Sequence, residues 1–300
     1  MNRRHFLQTS IAGLAAVSPS RAATGPDVKF PADPHARLAV ASYPFRKDLD
    51  PKHGKLTLLE FPKMIADRFG VAGIEPLDEH FPSTDATFLG KFRKALAAAH
   101  SHVVNIAVGR LHSSFYDLDP NKRKTAIDNA RHWVDVAGAI GSPGIRAHIQ
   151  SARGTQPDVD RTAGSLSALA VYASQKRIVV SLENDDPHSE DAFFIVQVLE
   201  KVNNPWLRAL PDFCNSMILG KGDQYNYDAV TAMFAHAYSI CHVKDSETDN
   251  GKLYNVDMAK TFGIAKAANY RGYFSMEWDA EGDPYENTKR LVAESLSDLS

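Results

Sequence analysis

Residues Ile178–Glu183 (IVVSLE) form a short apolar run that ends in a carboxylate, and three similar runs follow it. These are Leu207–Asp212 (LRALPD), Tyr238–His242 (YSICH) and Tyr273–Glu277 (YFSME). Segments with helical spacing of apolar residues separate the runs, and strands that alternate with helices indicate a parallel sheet. In such sheets function gathers at the carboxyl ends of the strands. We therefore expect the last residues of the four runs to meet at one edge of the sheet.

Four further strand–helix units precede this stretch. Their predicted strands are Leu38–Tyr43, Val71–Glu75, Val103–Val108 and Gly144–Ile149. The helices predicted after the eight strands are Thr57–Phe69, Asp85–His100, Asn121–Ile140, Asp158–Gln175, Glu190–Val202, Tyr227–Ala235, Val256–Ala268 and Pro284–Ser297. Eight such units predict an α/β protein with a single-domain (β/α)8 TIM barrel, which usually needs about 250 residues. The alternative, an open doubly wound sheet, usually has a glycine-rich turn after its first strand, whereas residues 42–45 read SYPF.

The composition is that of an ordinary soluble globular protein, with 44% hydrophobic and 23% charged residues in 300. The formal net charge is -2, and no basic run beyond residue 23 is longer than three residues. A surface that tracks phosphates is therefore not expected, and we predict no nucleic-acid partner. The apolar run Ile11–Val17 is too short to span a bilayer, so we predict no stable membrane anchor.

The N-terminus has the features of an export signal. Twin arginines at positions 3 and 4 precede the apolar run, and residues 20–22 (SRA) form a small-residue cleavage site. These features predict a twin-arginine signal peptide over residues 1–23, a polar, proline-rich linker over 24–35 and the barrel over 36–300. The protein would use the twin-arginine export machinery and be periplasmic or secreted.

The four residues that end the strands have the chemistry of a metal site. They are Glu183, Asp212, His242 and Glu277. Any one of them alone is as often part of a salt bridge or a helix cap. Four on successive strands favour a metal, because clustered carboxylates in a dry pocket cost free energy unless a cation offsets their charge. The oxygen-rich set predicts one divalent ion, Mn²⁺ first, although Mg²⁺, Co²⁺ and Zn²⁺ tolerate such ligands.

The chain resembles the sugar isomerases and epimerases that have a xylose-isomerase-like barrel. The resemblance covers roughly residues 36–297 and rests on residues 180–185 (VSLEND), 210–215 (LPDFCN), 241–246 (CHVKDS) and 274–284 (FSMEWDAEGDP). It implies that one divalent ion binds the same four residues. It also implies an enzyme that abstracts a proton next to a sugar carbonyl through an enediolate that the metal stabilises. In this scheme Glu183 and Glu277 are both ligands and the facing acid–base pair.

One position departs from the family pattern. Many members have a histidine three residues after the aspartate ligand, where this chain has Asn215. An amide donates a hydrogen bond to a substrate oxygen but does not take a proton at neutral pH. Two alternatives to an isomerase or epimerase therefore stay open. One is a 3-keto-glycoside lyase or hydratase that uses the same metal site, and the other is a non-catalytic periplasmic sugar-binding barrel.

Other polar residues near the strand ends are candidates for binding a sugar or keto-sugar. Glu75 closes the second strand and is expected to bind substrate hydroxyls or a neighbouring ligand, or to form a rim salt bridge. His112 follows the third strand, and Arg146 and His148 share one face of the fourth. Lys244, two residues after His242, is expected to hold a substrate oxygen. The sequence predicts no particular oligomeric state.

Overall fold

The computed structural model describes residues 25–300 and contains the eight predicted strand–helix units. The strands are β1 (Leu38–Ala41), β2 (Gly73–Glu75), β3 (His102–Val103), β4 (Ile106–Val108), β5 (Gly144–Ala147), β6 (Val179–Glu183), β7 (Leu207–Leu210), β8 (Ile240–Val243), β9 (Ser246–Asp249), β10 (Lys252–Asn255) and β11 (Tyr273–Met276). The helices are α1 (Phe61–Phe69), α2 (Ala86–Ala98), α3 (Pro120–Ile140), α4 (Val159–Lys176), α5 (Ala192–Val202), α6 (Asp223–Phe234), α7 (Met258–Ala267) and α8 (Pro284–Leu299). The predicted single-domain (β/α)8 barrel is confirmed.

The barrel strands are parallel neighbours in a closed ring. Continuous pairing gives the orders β3-β2-β1-β11-β8 and β4-β5-β6-β7. Isolated parallel bridges join the two sheets, at Leu77↔Ala107 on one side and at Ala209↔Ala237 and Asp212↔His242 on the other. The third barrel strand is interrupted at residues 104–105, so β3 pairs with β2 and β4 pairs with β5. All carboxyl ends of the ring therefore lie on one rim.

Apolar side chains bury both faces of this ring. The strands β1, β5 and β8 are buried at every position. Burial on both faces explains why they are mainly apolar, apart from Arg146 in β5 and His242 in β8. Each helix packs one apolar stripe on the barrel, as α2 does with Leu89, Phe92 and Leu96. The first two strands pack closely at Gly73, where a Cβ atom would lie 2.7 Å from the carbonyl oxygen of Leu38. A side chain at that position would push β1 and β2 apart.

Aspartates mark where most helices begin. The side chains of Asp85, Asp119, Asp158, Asp191, Asp257 and Asp283 accept hydrogen bonds from first-turn N–H groups of α2, α3, α4, α5, α7 and α8. Such caps satisfy N–H groups that have no partner within the helix. They hold each helix start directly after a rim loop, which places these loops on the same side as the strand ends.

The structure contains one hairpin that the periodicity did not predict. The strands β9 and β10 pair antiparallel across Asn250 and Gly251, whose φ angles are 49° and 76°. An Asn-Gly pair with positive φ at both positions is typical of a tight hairpin turn. The hairpin follows β8 directly, and the N–H of Thr248 donates to the carbonyl oxygen of Asp279 at 3.0 Å. It therefore lies over the rim next to the end of β11.

Three further features concern the N-terminus, membrane-spanning helices and the cysteines. The predicted signal peptide, residues 1–23, lies outside the described residues. Within residues 25–300, no helix combines the length and the apolar character that crossing a membrane requires. Cys214 and Cys241 are both buried and carry free thiols.

Candidate metal centre

The strand ends bring the four predicted ligands together. Glu183 ends β6, Asp212 lies two residues beyond β7, His242 lies within β8 and Glu277 directly follows β11. One donor atom from each lies within 4.8 Å of the donor atoms of the others. All four residues are buried. The order β6, β7, β8, β11 around the ring means that Glu183 and Glu277 approach His242 from the two sides of β8.

Two carboxylate oxygens of this cluster lack hydrogen bonds. Asp212 Oδ1 accepts from the backbone N–H groups of Cys214 and Asn215 at 2.8 and 2.7 Å. Its other oxygen, Oδ2, forms no hydrogen bond in residues 25–300, and neither does Glu183 Oε2. Each oxygen faces the cationic group of one side chain, Lys244 Nζ at 3.6 Å for Asp212 and Arg146 Nε at 3.2 Å for Glu183. Buried polar atoms without partners are rare in folded proteins and call for an explanation such as an ion. Both oxygens are suitable ligands for a divalent cation.

The charges of the cluster also favour a cation. Burial raises the pKa of Asp212 to about 8, because Glu183 and Glu277 reinforce the effect and the opposing charge of Lys244 does not cancel it. A carboxyl group with this pKa is held partly in its neutral form by its surroundings. A bound divalent ion reverses that effect, since it favours the ionised form of each ligand. The residues present therefore fit a divalent metal ion.

His242 faces the cluster through one ring nitrogen and a supporting carboxylate through the other. Its Nδ1 atom lies 2.7 Å from Glu183 Oε1 and 3.1 Å from Glu277 Oε2. Its Nε2 atom lies 3.0 Å from Oε2 of Glu75, which is fully buried and accepts a hydrogen bond from Asn105. Burial opposes the charged imidazolium, but these three carboxylates raise the pKa of His242 well above its ordinary value.

The contact with Glu75 determines which nitrogen of His242 is free to bind a metal. A carboxylate that accepts from one ring N–H orients the imidazole and leaves the other nitrogen for coordination. Here that nitrogen is Nδ1, which points to the carboxylates of the cluster. Of the contacts expected for Glu75, the structure contains the one with a neighbouring ligand.

Lys244 is a buried cation beside the cluster. Its Nζ atom lies 3.2 Å from Glu277 Oε2 and 3.6 Å from Asp212 Oδ2, and it donates to Asn215 Oδ1 at 2.7 Å. Burial disfavours the ammonium, but these carboxylates raise the pKa of Lys244 well above its ordinary value. Because its oxygen is bound to Lys244, Asn215 turns its amide nitrogen toward Glu183 Oε1, at 3.3 Å. The two predicted substrate-binding residues thus lie side by side at the centre.

Glu247 is a site residue that the sequence analysis missed. It lies on β9, its side chain is only 12% exposed, and one of its oxygens lies 4.0 Å from Nζ of Lys244. That oxygen, Oε2, has no hydrogen-bond partner in the described part of the chain. Burial, which Lys244 opposes, raises the pKa of Glu247 to about 6. The Asn-Gly pair at 250–251 was the available signal, since it predicts the hairpin that carries Glu247 to the rim.

Arg146 and His148 form a second polar group beside the first. Arg146 Nε lies 3.2 Å from Glu183 Oε2, and Nη1 lies 3.6 Å from Asp185 Oδ2. His148 Nδ1 lies 2.5 Å from Glu190 Oε2 and 3.8 Å from Asp185. Burial lowers the pKa of His148, but the Glu190 carboxylate outweighs it and raises the pKa to about 9. Asp185 and Glu190 were not predicted as site residues, because Glu190 was assigned to the helix that begins at Ala192.

The structure does not bring His112 into this cluster. The residue is exposed on the loop after β4, with a φ of 59°. It lines a separate surface depression of about 230 Å³, together with Asp117, Lys122 and Arg153. The substrate contact predicted for His112 therefore has no support from its position.

The fold and the site together describe a (β/α)8 barrel that has a candidate metal centre, formed by three buried carboxylates and a histidine, at its carboxyl rim. Residues 65–297 match the family of xylose isomerase-like TIM barrels. The chain belongs to this family, and the family resemblance predicted from the sequence motifs is confirmed. A comparison of the sequence with curated proteins gives no match.

Several solved structures share the fold. A xylose isomerase-like TIM barrel protein from Mycobacterium smegmatis in complex with magnesium is 17% identical, with 93% of this chain and 100% of that chain covered and a TM-score of 0.69. A D-psicose 3-epimerase in the presence of D-fructose is 13% identical, with 88% of this chain and 99% of that chain covered and a TM-score of 0.70. A 3-keto-D-glucoside 4-epimerase from E. coli in its apo form is 15% identical, with 87% of this chain and 99% of that chain covered and a TM-score of 0.65. At such identities the likeness shows the fold.

Proposed function

We propose that this protein is a metal-dependent sugar isomerase or epimerase that transfers a proton next to a carbonyl. The observation that carries the proposal is the pair of buried carboxylates, Glu183 and Glu277, which reach the same nitrogen of His242 from strands on its two sides. Two bases at one point give one group to remove a proton and a second group to return it. The sugar epimerases with the same fold support a carbonyl sugar as the substrate class.

The residues that would hold the metal are Glu183, Asp212, Glu277 and Nδ1 of His242. We infer Mn²⁺ as the first choice because the set is oxygen-rich with one imidazole, and Mg²⁺, Co²⁺ and Zn²⁺ as possible substitutes. A bound divalent ion supplies polarisation of the substrate carbonyl and stabilisation of negative charge.

The protein's own groups supply the proton transfer and the orientation of the substrate. Burial favours neutral Glu277, but His242 and Lys244 hold the pKa of Glu277 below its ordinary value, so it is available as an ionised base. Nζ of Lys244 and the amide nitrogen of Asn215 are buried donors beside the acid–base pair. They would bind the oxygens of the reacting carbons and restrict which carbon lies between the two glutamates.

Metal analysis provides the first test. Protein purified without chelator is expected to contain one divalent ion per chain. The double variant Glu183→Gln with Asp212→Asn should lose it. The matched control is Glu60→Gln with Asp67→Asn, which changes two exposed carboxylates on or beside α1. The proposal is wrong if the wild-type protein binds no divalent ion, or if both double variants retain the same metal content.

Solvent exchange tests the chemistry separately. In D₂O, the metal-loaded protein should exchange the proton next to the carbonyl of a keto-sugar, and Glu277→Gln should abolish this exchange without loss of folding. NMR spectroscopy of the sugar detects the exchange. Binding without exchange for any keto-sugar or keto-glycoside would support a non-catalytic sugar-binding barrel instead.

The second candidate is a 3-keto-glycoside lyase or hydratase, and Asn215 is the observation that favours it. Since Lys244 fixes the amide oxygen, Asn215 presents only N–H donors to the site and has no group that accepts a proton. Removal of the proton by a glutamate would then be followed by expulsion of the aglycone rather than by return of the proton. Release of the aglycone from a 3-keto-glucoside, followed by NMR, distinguishes this reaction from epimerisation.

We also propose that the protein is exported by the twin-arginine machinery to the periplasm or beyond. The motif of two arginines, an apolar run and a small-residue cleavage site over residues 1–23 supports this. Cell fractionation of the wild type and of the variant with lysines at positions 3 and 4 provides the test. Equal distribution of both proteins between the fractions would contradict it.

A further inference from the structure

A second pocket lies on the same rim and carries an excess of positive charge. Its volume is about 570 Å³. The permanently charged residues around it are Arg46, Lys47, Lys52 and Arg110, against the carboxylates of Asp50 and Glu79. Arg110 is paired with Glu79 and Arg46 with Asp279, so the excess positive charge is that of Lys47 and Lys52 over Asp50. This excess favours an anionic ligand, because arginine and lysine side chains form charge-assisted hydrogen bonds to phosphate and carboxylate oxygens. No ligand of the metal centre lines this pocket.

A buried histidine presents an unused hydrogen-bond donor to the pocket. The N–H of Leu77 donates to Ser42 Oγ at 2.8 Å, and Ser42 Oγ lies 2.8 Å from His80 Nδ1. We assign the serine proton to Nδ1, since Nδ1 is the acceptor that this hydroxyl contacts among residues 25–300. Burial lowers the pKa of His80 to about 4, so the ring is neutral and carries its proton on Nε2.

This Nε2–H group has no hydrogen-bond partner among residues 25–300. The nearest carboxylate oxygen, Glu79 Oε1, is 3.9 Å away, which is too long for a hydrogen bond. The His80 side chain is only 1% exposed. A buried donor without a partner costs free energy that an incoming acceptor would offset. The structure therefore supplies a fixed N–H group where the charged residues converge.

Two contacts connect this pocket to the metal centre. The N–H of Ser42 donates to the carbonyl oxygen of Glu75 at 2.8 Å, and the side chain of Glu75 supports His242. On the other side, Arg46 Nη2 lies 3.1 Å from Oδ1 of Asp279, two residues after the ligand Glu277. The pocket therefore adjoins the metal centre across the ends of β1 and β2.

We propose that this pocket binds the anionic group, a phosphate or a carboxylate, of a charged sugar whose carbonyl lies at the metal centre. The catalytic half of this statement rests on the proposed function, whereas binding of the anion at the pocket does not. The substrate class becomes a sugar phosphate or a sugar acid rather than a neutral sugar. The Nε2–H group of His80, oriented by Ser42, donates a hydrogen bond to an oxygen of the anionic group, and the surrounding arginines and lysines attract its negative charge.

Calorimetric titration of the metal-loaded, full-length protein tests the proposal. The probes are inorganic phosphate, glucuronate and neutral glucose, at constant ionic strength maintained with chloride. Phosphate or glucuronate is expected to bind more tightly than glucose. The variant Lys52→Ala with Arg110→Ala should weaken that binding about 10-fold or more, because each lost charge-assisted bond changes affinity by about one order of magnitude. The matched control, Lys55→Ala, removes an exposed lysine of the same loop that does not line the pocket.

A pair of substitutions at His80 tests the buried donor. Glutamine places an amide N–H near the former Nε2 position, whereas asparagine reaches only the position of Nδ1. We expect His80→Gln to retain most of the anion affinity and His80→Asn to lose it, with circular dichroism to confirm that both variants fold. Equal loss in two folded variants would show that Nε2–H makes no contact with the ligand.

The outcomes separate this proposal from the proposed function. If neither anion binds, or if Lys55→Ala weakens binding as much as the double variant, the anion pocket is refuted. Proton exchange in a neutral keto-sugar without anion binding refutes the pocket alone. Anion binding that depends on Lys52 and Arg110 without proton exchange in any sugar refutes the proposed reaction alone. Tighter binding of phosphate identifies a phosphate group as the ligand of the pocket, and tighter binding of glucuronate identifies a carboxylate group.

Discussion

Replacing Glu75 with glutamine is expected to weaken metal binding about 10- to 100-fold, although this residue is not itself a predicted ligand. Glu75 Oε2 lies 3.0 Å from Nε2 of His242, and both side chains are fully buried. Solvent therefore screens their interaction weakly. The expected loss corresponds to about 1.4 to 2.8 kcal/mol of binding free energy.

Glutamine isolates the effect of charge, because it can keep both hydrogen bonds of Glu75. Its oxygen can accept from Nε2 of His242, and its amide nitrogen would then face Asn105. The Oδ1 atom of Asn105 has no partner in the described chain, so a turned Asn105 amide can accept from the glutamine. What remains is the loss of one negative charge behind the imidazole.

The sign of the effect follows from the competition between a metal ion and a proton for His242. Glu75 favours both, since it helps to raise the pKa of His242. A divalent ion carries twice the charge of a proton, so removal of the carboxylate weakens metal binding more than it weakens proton binding. The net result at neutral pH is weaker metal binding.

Competition with a fluorescent chelator measures the affinity for Mn²⁺. The control is Glu60→Gln, which removes an exposed carboxylate at the start of α1. Thermal unfolding of the metal-free proteins checks that the fold is intact. An affinity of Glu75→Gln within about twofold of the wild type would refute the assigned role of Glu75.

Three other perturbations have defined outcomes. Against the effect of burial, Glu190 and Asp185 raise the pKa of His148 from its ordinary 6.5 to about 9, whereas burial raises the pKa of Glu190 in spite of the same pair. The shift of the histidine includes both carboxylates, so protonated His148 stabilises the fold by about 1 to 3 kcal/mol below pH 6.5, and this is lost as pH rises through 9. In urea unfolding, His148→Gln should therefore be less stable than the wild type at pH 6 and approach it at pH 10; a constant difference contradicts this. Lys244→Met should destabilise the metal-free protein by about 3 to 5 kcal/mol, because it leaves buried carboxylates unpaired. Mn²⁺ should restore part of the lost thermal stability of the variant, since it supplies positive charge to the same carboxylates. If Mn²⁺ restores none of it, the assigned role of Lys244 is wrong. Gly251→Val places a β-branched residue at a φ of 76°, at a cost of about 1 to 2 kcal/mol, so hydrogen exchange should accelerate in β9 and β10 only; unchanged exchange there would disprove the strain.

Local patterns were sufficient for the fold. Apolar runs of five or six residues alternate with helical periodicity, and the ends of each run lie within two residues of the ends of the observed barrel strand. The interruption at residues 104–105, where β3 and β4 separate, was not predicted, because the single polar Asn105 lies inside an otherwise apolar run. The hairpin of β9 and β10 was also missed, since its strands are largely polar and lie outside the barrel period.

The roles of the supporting residues required the tertiary structure. Glu75 and His242 are 167 positions apart, and no local pattern shows that one orients the other. Glu190 lies in the loop after β6, and its side chain contacts the N–H of Ile149 and the ring of His148, both in the loop after β5. The sequence around Glu190 does not indicate these contacts. His112 shows the converse, because a position after a strand did not bring its side chain to the centre.

The number of strand–helix units and the residue type at each strand end follow from the amino-acid order, because both depend on local periodicity and on the parallel topology that it implies. Which atoms face each other depends on the folded arrangement. His242 presents Nδ1 because Glu75 occupies Nε2, Asn215 presents its amide nitrogen because Lys244 occupies its oxygen, and His80 presents Nε2 because Ser42 occupies Nδ1. Such choices depend on contacts between distant segments, and side-chain packing sets these contacts after the barrel has closed.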